Sequence, residues 1–223
     1  MEEKIISVAE MRAADRYTID ELGVPSKELM RRAAQGVFDA VFAGEEDMDQ
    51  DALSTAIFCG SGNNGGDGYA LAEIMTDEGL DVTVVRVSDK FSEDGKYYYD
   101  RCIAKNVRMM TIDEFRTAEE AIPGAETEYD TFIDCMLGTG FSGVPREPIA
   151  GAIRMINEAG ADGAFVVAVD INSGMNGDTG EAELAVKSDL TVSIGYYKTG
   201  FFSEEAKEWI GELVNAEIGI VLP

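Results

Sequence analysis

The chain contains no histidine. That absence removes Ser-His-Asp and Cys-His nucleophile–base pairs, and with them every histidine-ligated metal site. Cysteine is scarce: Cys59, Cys102 and Cys135 are widely spaced and form no CxxC pair. An odd, scattered set does not build a disulfide framework and fits a reducing compartment. Positive charge is short as well. Lys and Arg number 18 against 43 Asp and Glu, a net charge of −25. Such a surface repels a nucleic-acid backbone and an anionic membrane, so neither is an expected partner. No run reaches the ~20 apolar residues that span a bilayer. The opening MEEKIISVAEMRAADRY has no basic stretch followed by an apolar core, so no signal peptide is expected and the expected location is cytoplasmic.

What is present is a chain of 223 residues, 45% of them hydrophobic. That is enough for one good-sized core, and no linker, repeat or low-complexity tract marks a second domain. A single domain over residues 1–223 is expected. Ser7 and Glu10 are spaced as a capping box, opening a helix that Gly23-Val24-Pro25 stops near Leu22. A second helix starts near Ser26, with Leu29, Met30, Ala33, Val37, Phe38, Val41 and Phe42 on one face. The acidic stretch from Glu45 to Asp51 reads as a solvated loop. Strands are expected over 55–59, 81–87, 107–111, 130–135, 165–169, 190–194 and 210–216, with helices over 67–78, 92–105 and 149–159. Alternating strands and helices predict an α/β fold, a three-layer αβα sandwich with a mostly parallel sheet. Tyr97-Tyr98-Tyr99, Phe201-Phe202 and Met109-Met110 read as packing, and Cys135 as a buried thiol without an activating base.

In an open parallel sheet, ligands bind beyond the carboxyl ends of the strands. Four loops there stand out: Gly60 to Gly68 (GSGNNGGDG), Asp134 to Gly143 (DCMLGTGFSG), Asp170 to Gly174 (DINSG) and Gly195 to Gly200 (GYYKTG). The first contains G-x-G-x-x-G at Gly60, Gly62 and Gly65, a pattern common in ordinary strand-to-helix turns. Its functional use is anion binding, with backbone amides free of side-chain bulk at a helix N-terminus. A protein this acidic cannot attract a phosphate by net charge, so local amides matter. Asn64, Asp134 and Ser173 offer hard oxygens on three strand ends, a set suited to a hard cation; on spacing alone, loop capping explains them as simply. Asp170, ending a buried strand, is a candidate general acid/base or a loop anchor. Lys198 either serves an anionic ligand, pairs with a carboxylate or lies in solvent.

Taken together and in order, GSGNNGGDG, DCMLGTGFSG, DINSG followed by GDTG, the opening EMRAAD and LMRRAA segments and the late IGYYKTG resemble the NAD(P)H-hydrate epimerase family. NNGGDG is the most specific element, and the likeness runs from about Ala9 to Gly219. The resemblance implies a Rossmann-like sandwich, usually dimeric. It implies interconversion of the R and S forms of NADHX and NADPHX, cofactors hydrated at C6 of the nicotinamide ring. It implies a potassium ion held by Asn64, Asp134 and Ser173, and substrate contacts from Asn63, Asn64, Gly65, Gly66 and Asp67, from Gly138, Thr139, Gly140, Phe141, Ser142, Gly143 and Val144, and from Asp170. Asp170 is the expected acid/base and Asp67 the second choice. Family members are often fused to a dehydratase, so a chain ending at Pro223 is expected to depend on a separate one. Two departures stand out: Asn172 where proline is usual, and Arg31 and Arg32 where Glu and Asn are typical. The rival readings are a nicotinamide dehydrogenase, with Asp89 as ribose ligand, and a non-catalytic binding module of the same fold.

Overall fold

The computed structural model describes residues 4–42, 54–120 and 128–223, so the acidic stretch from Glu45 to Asp51 lies outside the described residues. Near the N-terminus, β1 (Ile5–Ile6) leads into α1 (Val8–Arg16). The Ser7 side chain accepts from the Glu10 amide and the Glu10 carboxylate accepts from the Ser7 amide, so the capping box is formed. The helix runs on through a wider π turn at Tyr17–Glu21 and stops at Gly23, whose φ of +73° suits glycine. Then α2 (Ser26–Phe42) buries Leu29, Met30, Ala33, Val37 and Phe42, the face its spacing predicts.

The α/β core follows: β2 (Ser54–Cys59), α3 (Asn63–Asp77), β3 (Asp81–Arg86), α4 (Glu93–Ala104), β4 (Arg108–Thr111), α5 (Ile112–Glu120), β5 (Thr131–Cys135), α6 (Ile149–Ala161), β6 (Phe165–Val169), β7 (Leu190–Ile194), β8 (Tyr197–Lys198) and β9 (Glu212–Ala216). Among the described residues, seven strands make one sheet in the order β4-β3-β2-β5-β6-β7-β9, every pairing parallel. The α/β sandwich expected from the sequence is therefore present. Two hydrophobic clusters fill the layers on its faces, one with Ile57, Tyr69, Met75, Ile133 and Val167, the other with Phe58, Phe115, Phe132 and Ile153. A separate short pair, β1 with β8, sets Ile6 in register with Lys198.

Strand order reverses between β2 and β5, where successive crossovers go to opposite sides of the sheet. That switch point opens a crevice at the carboxyl ends of the strands. Cys59 and Cys135 are Cα partners there, so the first two glycine-rich segments leave the sheet side by side.

One boundary differs from expectation. The helix placed over 67–78 begins at Asn63, with Gly62 as its N-cap, so NNGGDG is the first helical turns rather than a loop before them. Glycine has low helix propensity, but here it lets α3 settle onto the sheet. A Cβ on Gly68 would lie 2.7 Å from Cys59 Sγ and 2.8 Å from Cys135 Cβ, and one on Gly65 would collide with the Gly60 carbonyl oxygen. α5 and the β1–β8 pair had no counterpart in the sequence pattern. Met109 and Met110 are half-buried, each against a different core cluster.

Candidate active site

A cleft of about 600 Å³ lies at the switch point. It is lined by Ser61, Gly62, Asn63, Asn64 and Asp67 from the start of α3, by Met136 to Phe141 from the loop after β5, and by Asp170 after β6. α2 contributes Leu29, Met30 and Ala33, α1 contributes Met11, Arg12, Asp15 and Arg16, and the π turn after it contributes Ile19. Gly65 and Gly66 are buried beneath the lining. Ser142, Gly143 and Val144 border a shallower neighbouring depression with Asn176 and Glu181 to Glu183, and Phe141 lies between the two.

Below the cleft floor, three strand ends join in one network. Asn64 Nδ2 donates to the carbonyls of Leu137 (2.8 Å) and Val169 (3.0 Å). The Leu137 amide donates to Ser173 Oγ (2.8 Å), which donates to Asp134 Oδ1 (2.6 Å). Asp134 also accepts from the Ser173 amide (2.7 Å) and the Met136 amide (3.1 Å). Asp134 and Ser173 are fully buried. Burial raises the Asp134 carboxyl to about 6, against the lowering effect of these hydrogen bonds. The two carbonyls fix the Asn64 amide, and its Oδ1 is left buried without a hydrogen bond among the described residues. Among the described residues, an amide oxygen without a hydrogen bond and a buried carboxylate without a cationic partner, joined through Leu137 and the Ser173 hydroxyl in one network, fit a hard cation by donor chemistry and by charge.

Asp170 stands at φ +68°, a left-handed conformation rare outside glycine. Its Oδ2 accepts from the Thr139 amide (3.1 Å) and its Oδ1 from Lys198 Nζ (2.5 Å). Lys198 is not a solvated lysine but wholly buried, and its ammonium also donates to Ser193 Oγ (3.2 Å) and the Ile194 carbonyl (2.8 Å). Three protons meet three acceptors. Asp67 and Asp15, like Asp170, are half-buried in the cleft lining, but they make no hydrogen bond among the described residues. Burial, then the charges of Asp170 and Asp15, pushes the Asp67 carboxyl well up; Lys198 opposes this. Asp15 is raised to about 6, first by burial and then by Asp170, against Lys198 and Arg16.

Residues 26–200 match the family described as YjeF-related protein N-terminus. The chain belongs to this family. An NAD(P)H-hydrate epimerase of Limosilactobacillus fermentum is 32% identical to this chain over 219 residues, covering 97% of this chain and 98% of that one. An NAD(P)H-hydrate epimerase of Limosilactobacillus reuteri is 33% identical over 217 residues, covering 97% and 96%. A bifunctional NAD(P)H-hydrate repair enzyme Nnr of Thermofilum pendens is 33% identical over 214 residues, which are 94% of this chain but 39% of the longer relative. The crystal structure of yeast ynu0 superposes with a TM-score of 0.76 at 22% identity, covering 88% of this chain and 82% of that one, a likeness of fold.

Other expectations for the YjeF-related domain find their places. Asp89, the ribose ligand a dehydrogenase would use, is exposed, pairs with Arg86 and is absent from the cleft lining. Arg31 and Arg32 pair with Glu28 and do not line the cleft. Asn172 is fully buried, with Nδ2 facing the Val186 carbonyl, Ser188 Oγ and the Trp209 carbonyl and Oδ1 accepting from Thr191. Hydrogen bonds thus hold the turn that proline would stiffen. The three cysteines are buried and free, and burial pushes the Cys135 thiol up, away from nucleophilic use. Sequence reasoning gave α1 no part in the cleft. Its signal was a charged stripe: Arg12, Asp15 and Arg16 follow helical spacing on one face.

Proposed function

We propose that this chain interconverts the R and S epimers of NADHX and NADPHX. One observation carries the reading: an open cleft at the switch point brings the helical NNGGD turn, the loop after β5 and the Asp170 carboxylate to one space. Its volume of about 600 Å³ is ordinary for a small-molecule site. The amides at the start of α3 have no carbonyl four residues back within the helix, and with the helix dipole they suit the ligand's phosphates. Asn63, Asn64, Gly138, Thr139 and Gly140 are the proposed contacts around them, with Ser142 to Val144 reserved for the outer part of the ligand.

The substrate is a hemiaminal, its C6 hydroxyl beside ring N1. The N1 lone pair expels the hydroxyl once it is protonated, leaving a planar iminium. Water added to the opposite face inverts the centre. Asp67, whose carboxyl favours the protonated form, delivers the proton. The Asp170 carboxylate, held by Lys198 and the Thr139 amide, lies ready to stabilise the cation. Divergent surroundings for two carboxyls in one cleft suit a division between proton donor and charged stabiliser. Asn64, Asp134 and Ser173 would hold a potassium ion, which supplies charge balance for Asp134 and order for the loops. The S epimer is then passed to a dehydratase. The proposal includes a cytoplasmic setting and a homodimer, the latter read by sedimentation.

The test separates the two NADHX epimers by chromatography over time. Wild-type protein brings either pure epimer to the mixture faster than the spontaneous reaction, and Asp170→Ala slows this by about 10²–10³-fold. Wild-type protein that leaves the spontaneous rate unchanged overturns the reading. An Asp170→Ala variant that binds substrate and epimerises at full rate removes Asp170 from its role.

A further inference from the structure

Inverting a centre through a planar cation needs proton chemistry on both faces. One oxygen leaves with a proton, and the water arriving opposite must give one up. The steps above assign only the first of these. Asp67 and Asp170 come from the start of α3 and the end of β6, and the cleft has a further carboxyl from a third element, α1. We propose that Asp15 is a catalytic residue, the base that takes the proton from the incoming water while Asp67 protonates the departing hydroxyl.

The placement of Asp15 is built rather than incidental. Arg12, one turn earlier on α1, donates to the Thr139 carbonyl in the loop whose amide holds Asp170. The Val8 amide donates to Asp178 Oδ1 at 2.7 Å, and β1 pairs with β8 beside Lys198. The helix is thus pinned to the loop after β5, whose Thr139 amide holds Asp170, and to the loop after β6, which Asp170 opens. Asp15 spends no oxygen on the protein: it makes no hydrogen bond among the described residues, yet it is half-buried in the lining. A group with a purely structural task would be expected to bond something.

The step balances. The C6–O bond breaks with its electron pair on oxygen, which leaves as water with the proton from Asp67, and the N1 lone pair forms the C=N bond. Water then bonds to C6, that electron pair returns to N1, and the surplus proton goes to Asp15. One water is lost and one gained, with no oxidant or reductant. A proton has moved from Asp67 to Asp15; the reverse epimerisation returns it, and exchange with solvent resets either state.

The inference rests on the epimerase reading, and its experiment separates the two. Epimerisation rates of wild type, Asp15→Asn and Asp15→Glu are measured from pH 5 to pH 9. The charged groups around Asp15 are Arg12 and Arg16 on α1, Asp67 on α3, Asp94 at the start of α4, and Asp170 with Lys198. In wild type the rate rises through an ionisation at about 6 as Asp15 loses its proton. Asp15→Asn is expected to lower kcat by about 10²–10⁴-fold and to abolish that limb, with KM within threefold. Asp15→Glu keeps the limb and recovers part of the rate. Three outcomes overturn the proposal: full activity in Asp15→Asn, an unaltered limb in that variant, or a loss of the limb in Asp15→Glu as complete as in Asp15→Asn. Wild-type protein no faster than the spontaneous reaction overturns both readings.

Discussion

A buried ammonium is tolerated when each of its protons finds an acceptor and its charge finds a partner. Lys198 meets both conditions through Asp170, Ser193 and the Ile194 carbonyl. Its removal would leave the Asp170 carboxylate, 13% exposed, facing an empty space where its counter-charge had been. Lys198→Met is therefore expected to lower unfolding stability by about 3–5 kcal/mol. Urea denaturation measures it, and Asp170→Asn in the same chain should restore part of the loss. Equal stability in wild type and Lys198→Met would show the pair to be worth nothing. The same residue orients Asp170, so its energetic and chemical roles are linked. Asp15 and Asp67 follow the opposite logic, each half-buried in the cleft wall without a hydrogen bond among the described residues. Their raised proton affinity follows from that arrangement.

At the scale of elements, α3 carries the main departure from simple pattern. Its first turns hold Gly65, Gly66 and Gly68, which propensity alone would exclude from a helix. They are used for close approach: α3 packs against α2, α4 and the ends of β2 and β5 without side-chain bulk in the way. Gly68→Ala would press a methyl group against Cys59 and Cys135 and is expected to cost about 1–3 kcal/mol in a denaturation series. Gly65→Ala would meet a backbone oxygen, which cannot rotate away as a side chain can, and should cost more. The same close packing sets the α3 N-terminus against the loop after β5, so both variants should also slow epimerisation. If Gly68→Ala melts with wild-type stability, the helix does not depend on this contact.

Across the whole molecule, 25 net negative charges repel one another in the folded state. Any added salt screens that repulsion and should raise the melting temperature. Potassium should do more than screen, because a cation bound only by the folded state adds stability by mass action. The melting temperature in potassium chloride is expected to exceed that in choline chloride at equal ionic strength. Asp134→Asn, which removes the buried charge at the network's centre, should abolish the difference. Identical melting in the two salts would argue that hydrogen bonding alone satisfies Asn64, Asp134 and Ser173.

The sequence alone determined the succession of elements and the edge of the sheet where chemistry would lie. Those features are local: the Ser7–Glu10 capping box, the apolar spacing of α2, the β-branched strand over 81–87 and the glycines that end strands all act through near neighbours. The motifs also named part of the cleft lining, including Asn64, Asp67, Gly138 and Asp170. Tertiary structure decided the rest, because burial and pairing join residues far apart in the chain. Asn64 reaches the Val169 carbonyl across 105 positions, and Lys198 is buried because β8 pairs with β1 at the other end of the protein. Asp15 belongs to the cleft only once α1 is pinned over it. A carboxyl's proton affinity and a lysine's charge depend on what the fold packs around them, and no spacing along the chain encodes that environment.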